Sequence, residues 1–328
     1  MKNRLFEANG TSVSEVGLGC WQIGGADWGD VDDEEALDIL RTSVASGVTF
    51  FDTADVYGLG RSESLIGRYL KEAPETIFVA TKLGRFPDPG WPENFTRDAV
   101  RKHTEASLTR LGVDTLDLTQ LHCIPPAELE RGNVFEWLRE LQQEGKILRF
   151  GASVESMDEA LVCLKQDGLA SLQIIFNIFR QKPIHTLFTE AQEKGVALII
   201  RLPLASGLLS GKYKKDTQFA ATDHRTYNRN GEAFNVGETF AGLPFELGVE
   251  IADSLKPLVP HGMTMAQMAL RWCLDFPAVT TIIPGASHPA MAKANASVSD
   301  LPRLSGGLHD TLREIYEEKV AGLIRGPY

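Results

Sequence analysis

No apolar run in this chain approaches the roughly 20 residues that a membrane-spanning helix needs, and the start, MKNRLFEANG, lacks the apolar core of a secretory signal. Even GVALIIRLPLASGLL is interrupted by Arg201. Cysteine is scarce: Cys20, Cys123, Cys163 and Cys273 lie far apart with no C-x-x-C pair, which argues against a disulfide framework and reads as reduced thiols in a cytoplasmic protein. Lys and Arg number 33 against 44 Asp and Glu, so the net charge of -11 repels nucleic acid, and no basic cluster offsets it. The seven histidines include no H-x-x-x-H pair, and no metal site is expected. A dinucleotide fingerprint is missing as well, because GLGCWQIGG has the wrong spacing for G-x-G-x-x-G and no helical pattern directly behind it. Oligomeric state has no signature in the pattern.

What is present is an alternation. LFEANGTSV reads as a hairpin turning at Asn9-Gly10. Eight β-rich runs follow, VGLGC, VTFFDTA, TIFVATK, LDLTQLH, ILRFGAS, SLQIIFN, VALIIRLP and VTTIIPG, separated by amphipathic helical patterns. Several patterns carry start and stop signals, as Thr96 with Gly112 and Ser156 with Gly168 do. Strands alternating with helices imply parallel strands joined by right-handed crossovers, and eight units close a (β/α)8 barrel. With 328 residues and no linker or repeat, the expectation is one α/β barrel domain over residues 1–328, capped by the N-terminal hairpin. The Gly-, Asn-, Thr- and Asp-rich stretch 212–244 is too long for an ordinary connection and reads as a flap at the C-terminal rim.

In such a barrel, chemistry collects at the C-terminal strand ends. VTFFDTA ends on Asp52, TIFVATK on Lys82, LDLTQLH on His122 and ILRFGAS on Ser153, and Tyr57 follows Asp52 in FFDTADVYG. An acid, an amine, an imidazole and a phenol at one rim suit proton transfer to a carbonyl oxygen. An ammonium at Lys82 lowers the phenol pKa, a carboxylate at Asp52 keeps that ammonium charged, and a neutral His122 orients the carbonyl. The set holds no hydride source, which a nicotinamide would supply. Each residue also has an ordinary structural role: a cap for Asp52, a solvated strand end for Lys82, a satisfied core histidine for His122, a loop aromatic for Tyr57. Singly those roles are the commoner ones; four together at one rim are not accounted for by them.

On FFDTADVYG, VATK and QLH, in order and spacing, with GRSESLIGRYL and PLASGLLSGKY, the chain resembles the aldo-keto reductases from its hairpin to its eighth strand. That resemblance implies a (β/α)8 barrel with Asp52, Tyr57, Lys82 and His122 catalytic. It also implies NAD(P)(H) lying across the rim, held by Ser153, Gln173, Arg201, Pro203, Leu204, Ser206, Gly207, Leu209, Lys212, Gly285, Ser287 and Asn295. Four positions depart from the family pattern. Val154 replaces an Asn, Arg201 stands where an aromatic stacks on the nicotinamide, and Ser287 and Met291 stand where many NADPH-preferring members carry Arg, Lys or Gln. With His288 or Lys293 compensating, NADP(H) is favoured and NAD(H) is the alternative. The expected substrate is a small carbonyl compound or alcohol, with Trp21, Phe86 and Trp91 at its pocket. The implied activity is reversible carbonyl reduction; a sugar or polyol dehydrogenase, or a cofactor-binding redox-sensing regulatory subunit, are the competing readings.

Overall fold

Strands β1 (Asn3–Leu5) and β2 (Ser12–Ser14) pair antiparallel in a computed structural model that describes residues 1–7, 10–25, 28, 31–73 and 76–328. Asn9 of the expected turn lies outside the described residues; Gly10 has φ +100°. The eight expected strands follow as β3 (Leu18–Gly19), β4 (Phe50–Asp52), β5 (Phe78–Leu83), β6 (Leu118–His122), β7 (Phe150–Ser153), β8 (Leu169–Ile175), β9 (Ala197–Arg201) and β10 (Val279–Ile282). All are parallel and neighbours in chain order. Parallel bridges Val16 to Ile282 and Gly19 to Gly285 bring the last strand back to the first, closing the barrel.

The strand period of two sorts residues by depth. Phe50, Ala80, Leu118, Ala197 and Ile199 form one buried cluster inside the barrel, plugged from below by Phe6 and Val13 of the hairpin. Phe6 sits 4.8 Å from Phe78 between ring centroids, so the hairpin is a stopper for the N-terminal end. Two residues above Phe50, Ala80 and Leu118 the same faces carry Asp52, Lys82 and Gln120, all buried. Register aligns Lys82 with Gln120, His122 with Ser153, and Ser153 with Gln173, so polar groups share the upper layers. Outward-facing residues such as Phe51 and Val79 join the larger core under the helices.

Helix Arg97–Leu111 starts where Thr96 accepts a bond from the Ala99 amide and stops at left-handed Gly112, as the sequence signals require. Ser156 caps Met157–Cys163 likewise, but that helix ends at Leu164 and not at Gly168, whose φ of +79° serves the turn into β8. Helices Pro126–Arg131 and Phe245–Leu255 have no counterpart in the expected series. The 212–244 stretch holds one short helix, His224–Tyr227, and two 3-10 turns, and lies over the C-terminal mouth.

Candidate active site at the barrel mouth

Asp52, Lys82 and His122 end three adjacent strands, and the Asp52 loop returns Tyr57 over them. Lys82 Nζ donates to Asp52 Oδ1 at 2.6 Å, to the Thr53 carbonyl at 2.8 Å and to the Tyr57 hydroxyl at 3.3 Å. Asp52 Oδ2 accepts from Gln173 Nε2 at 2.6 Å and from Gln120 Nε2 at 3.4 Å. The Tyr57 ring stacks on Trp21 at 5.8 Å and meets the His122 ring edge-on at 5.7 Å.

Burial alone would discharge Lys82, but the Asp52 carboxylate and the Tyr57 hydroxyl outweigh it and hold the ammonium pKa above its ordinary value. Burial, with Arg85, Lys82 and Arg201 nearby, keeps His122 neutral by driving its pKa well below the usual range. Its Nδ1 is buried without a hydrogen-bond partner. Tyr57 departs from expectation: Lys82 pulls its pKa down, yet desolvation is larger and the net is a rise to about 12. At neutral pH the group is therefore a phenol with a proton to give.

Family-like GRSESLIGRYL has a positioning job. Arg61 donates to the Ile23 carbonyl at 2.7 Å and to Asp33 Oδ1 at 2.8 Å, and Ser62 donates to the Cys20 carbonyl at 2.9 Å. These bonds pin the segment that carries Trp21 to the helix behind Tyr57.

Two cavities meet at Trp21, Tyr57, His122 and Glu238. The smaller, about 260 Å³, is lined by Ser153, Gln173, Arg201, Pro203, Leu204, Ser206, Gly207, Lys212, Gly285, Ser287 and Met291, so the structure brings most of the expected cofactor strip together. Leu209 and Asn295 do not line it. Leu209 is fully buried in the hydrophobic core, and Asn295 bonds the Gly285 carbonyl at 3.1 Å, shaping the loop from behind. Backbone is bared where side chains would collide: a Cβ on Gly285 would lie 2.0 Å from Gln22 Oε1, and one on Gly207 2.3 Å from the Tyr213 hydroxyl. Strained backbone gathers at the same rim. Left-handed Leu202, Ala205 and Ser206 follow β9, Cys123 follows β6, and Phe240 and Ala241 sit in the flap. His288 is not turned to the cleft through Nδ1, which accepts the Met291 amide and caps helix Pro289–Ala296.

The larger cavity, about 670 Å³, is walled by Trp21, Phe86 and Trp91, the three expected pocket aromatics, together with Tyr227 and Phe234. It also holds a feature that the strand-end reading missed. Glu238 of the flap lies 3.4 Å from Arg85 and 3.5 Å from Arg201, while Glu155 pairs with Arg85 at 2.8 Å. Cys123, Glu155 and Glu238 offer ligand atoms within 4.8 Å of one another, but two guanidiniums already neutralise these acids, which marks an ion-pair cluster and not a cation cage. Arginines at two barrel-strand ends need buried counter-charges, and that need was the available signal.

The sequence model of the Aldo/keto reductase family matches residues 15–317. The chain belongs to that family. An aldo-keto reductase of Bacillus subtilis (strain 168) is 27% identical over 88% of this chain and 86% of its own length. A probable voltage-gated potassium channel subunit beta of Arabidopsis thaliana is 27% identical over 97% and 98%. Among solved structures, the holo form of an aldo-keto reductase from Bacillus halodurans superposes with a TM-score of 0.78 at 26% identity, covering 96% of each chain. A glycerol dehydrogenase from Gluconobacter oxydans gives 0.76 at 27% identity, covering 97% and 96%. Eight parallel strands in a barrel, with a hairpin at the N-terminus, are thus the family fold. Among the described residues no helix is long and apolar enough to cross a membrane.

Proposed function

We propose that the chain, acting as one domain over residues 1–328, is an NAD(P)(H)-dependent oxidoreductase that reduces an aldehyde or ketone to an alcohol, reversibly. The observation that carries this is the Asp52–Lys82–Tyr57 chain of contacts, whose last member, Tyr57, lines both the cleft with the expected cofactor strip and the aromatic pocket. The residues present fit a nicotinamide nucleotide. Ser153, Gln173 and Arg201 would hold the ring end, the bared backbone at Gly207 the pyrophosphate, and Gly285 and Ser287 the adenosine. When bound, the reduced nicotinamide supplies hydride to the carbonyl carbon.

The protein's own residues do the rest. His122, held neutral, donates to the carbonyl oxygen and orients it, and Tyr57 gives that oxygen its proton. As the phenolate forms, the Lys82 ammonium 3.3 Å away stabilises it, and Asp52 keeps that ammonium charged and in place. The pKa of about 12 makes Tyr57 a reluctant acid until this charge is felt. Trp21, stacked on Tyr57, closes one side of the reacting centre to water. NADP(H) is placed ahead of NAD(H): with His288 engaged as a cap, Lys293, exposed on the next turn, is the cation left for a 2′-phosphate. Four free, buried cysteines support a cytoplasmic setting.

Titration with NADPH and NADH by fluorescence, followed by a carbonyl panel, tests the reading. Tyr57→Phe is expected to lower kcat by about 10²–10⁴-fold while leaving nucleotide affinity nearly intact. Binding of neither nucleotide, or substantial reduction by Tyr57→Phe, refutes it. Likeness to a glycerol dehydrogenase favours a second reading, alcohol or polyol oxidation by the same residues run backwards. Initial rates in both directions separate the two. The channel-subunit relative favours a redox-sensing regulatory role, for which turnover would be very slow across the whole panel.

A further inference from the structure

The larger cavity has one charged pole in a lining otherwise made mostly of aromatic, prolyl and aliphatic residues. Arg85 follows β5, Glu155 follows β7 and Glu238 comes from the flap, all three on the cavity wall, with Arg201 at the end of β9 behind them. Arg85 and Glu155 are 19% and 18% exposed at the side chain, whereas Glu238 is only 8% exposed and is shared between two guanidiniums. The open members of the pole are thus a single Arg–carboxylate pair facing the cavity.

Two carboxylates crowded on two guanidiniums do not ionise alike. Burial and the neighbouring Glu238 push Glu155 up to about 7, against the pull of Arg85 and Arg201; Arg201 and Arg85 overcome burial at Glu238 and hold it low. Glu159, whose carboxylate accepts the Glu155 amide, adds to the rise. Two further titratable groups face the cluster: Cys123, which burial keeps a thiol, and His224, whose charge when protonated helps hold Glu238 low. Near neutrality the pole therefore carries between none and one excess positive charge. Arg85 is also close enough to act on the charge balance of both His122 and Tyr57.

Building on the reductase reading, we propose that this cavity selects oxo acids, carbonyl compounds whose carboxylate takes the place of Glu155 on Arg85 while the carbonyl meets Tyr57 and His122. Glu155 takes up a proton from solvent as it yields, so no charge is stranded. Guanidinium suits the exchange because its planar fork receives one carboxylate as well as another.

Matched substrates read this out: 4-carboxybenzaldehyde against methyl 4-formylbenzoate, and pyruvate against methyl pyruvate, each as kcat/KM with the nucleotide that binds. In the unaltered enzyme the acid of a pair is expected to exceed its ester by about 10-fold or more. Arg85→Met is expected to bring that ratio to about one, and because both substrates meet the same variant, a general loss of catalysis cancels. Glu155→Gln is expected to raise the ratio and to abolish its fall as pH rises through about 7. An acid-to-ester ratio at or below one in the unaltered enzyme overturns the proposal, as does an unchanged ratio in Arg85→Met. Should Arg85→Met not fold, an unchanged ratio and pH profile in Glu155→Gln overturn it equally. Turnover of esters without acids refutes only this proposal; turnover of neither, by either nucleotide, refutes the reductase reading beneath it.

Discussion

Asp52→Asn removes the counter-charge of an ammonium whose side chain is 0% exposed, and its cost follows from the contacts left behind. Lys82 would keep the Thr53 carbonyl at 2.8 Å, the Tyr57 hydroxyl at 3.3 Å and, at position 52, only a neutral amide oxygen. Breaking a buried ion pair on one side typically costs about 3–5 kcal/mol. For 328 residues the unfolding entropy is about 0.7 kcal/mol/K, so the melting temperature should fall by about 4–7 °C at pH 7. The lower end applies if Lys82 sheds its proton. Adding Lys82→Met to the same chain removes the stranded charge and should recover most of that loss, since apolar replacements of buried pairs are often neutral. Thermal melts of wild type, single and double variants, without nucleotide, provide the measurement. A single variant melting within about 1 °C of wild type, or a double variant melting no higher than the single, refutes the reasoning that Asp52 exists to keep Lys82 charged.

Gly207→Ala places a Cβ 2.3 Å from the Tyr213 hydroxyl on a backbone with φ +96°, a conformation that costs an L-residue about 1–2 kcal/mol before any clash. Nucleotide affinity should fall at least about 10-fold and the melting temperature by about 2 °C or more; unchanged affinity would separate Gly207 from the cofactor strip. Asp55 is buried with His103 Nδ1 3.9 Å from its Oδ2 and no hydrogen bond at normal geometry to either carboxylate oxygen, and desolvation with the nearby Glu63 lifts its pKa to about 8. The folded chain thus holds a proton that the unfolded chain releases near 4, so this group's contribution to stability declines from about pH 4 to 8 and is level above. Asp55→Asn, which cannot titrate, should gain on wild type steadily over that interval, as pH-resolved melts will show; a constant difference would contradict the assignment.

The barrel was legible because parallel strands covered by helices read as short β-rich runs between helical patterns, and four successive runs carried a polar residue at the C-terminal end, Asp52, Lys82, His122 and Ser153. Asp52, Lys82 and His122 could be placed by counting in twos from Phe50, Ala80 and Leu118. Tyr57 followed from loop length. Cooperation across loops was harder to read. Glu238 is separated from Arg85 by 153 positions in the chain, and nothing local to TFAGLP or NVGETF signals a buried acid. Helix Phe245–Leu255 is absent from the expected helices, although Phe245, Val249, Ala252 and Leu255 recur at helical spacing and are all buried. The sign of the Tyr57 shift needed burial, which a sequence does not state: proximity to an ammonium was readable, desolvation larger than that proximity was not.

Gln173 bears a consequence beyond its place in the cleft. Asp52, as a carboxylate, only accepts, so the amide nitrogen of Gln173 must face it, at 2.6 Å. That orientation turns Oε1 toward Ser153, whose hydroxyl donates to it at 3.4 Å. At that point the cleft asks an incoming group for a hydrogen, not for a lone pair. The acid that steadies the proton-transfer machinery thereby also sets the polarity of the neighbouring seat, and a ligand drawing on Oε1 would be felt at Asp52 through one side chain, with no backbone moved.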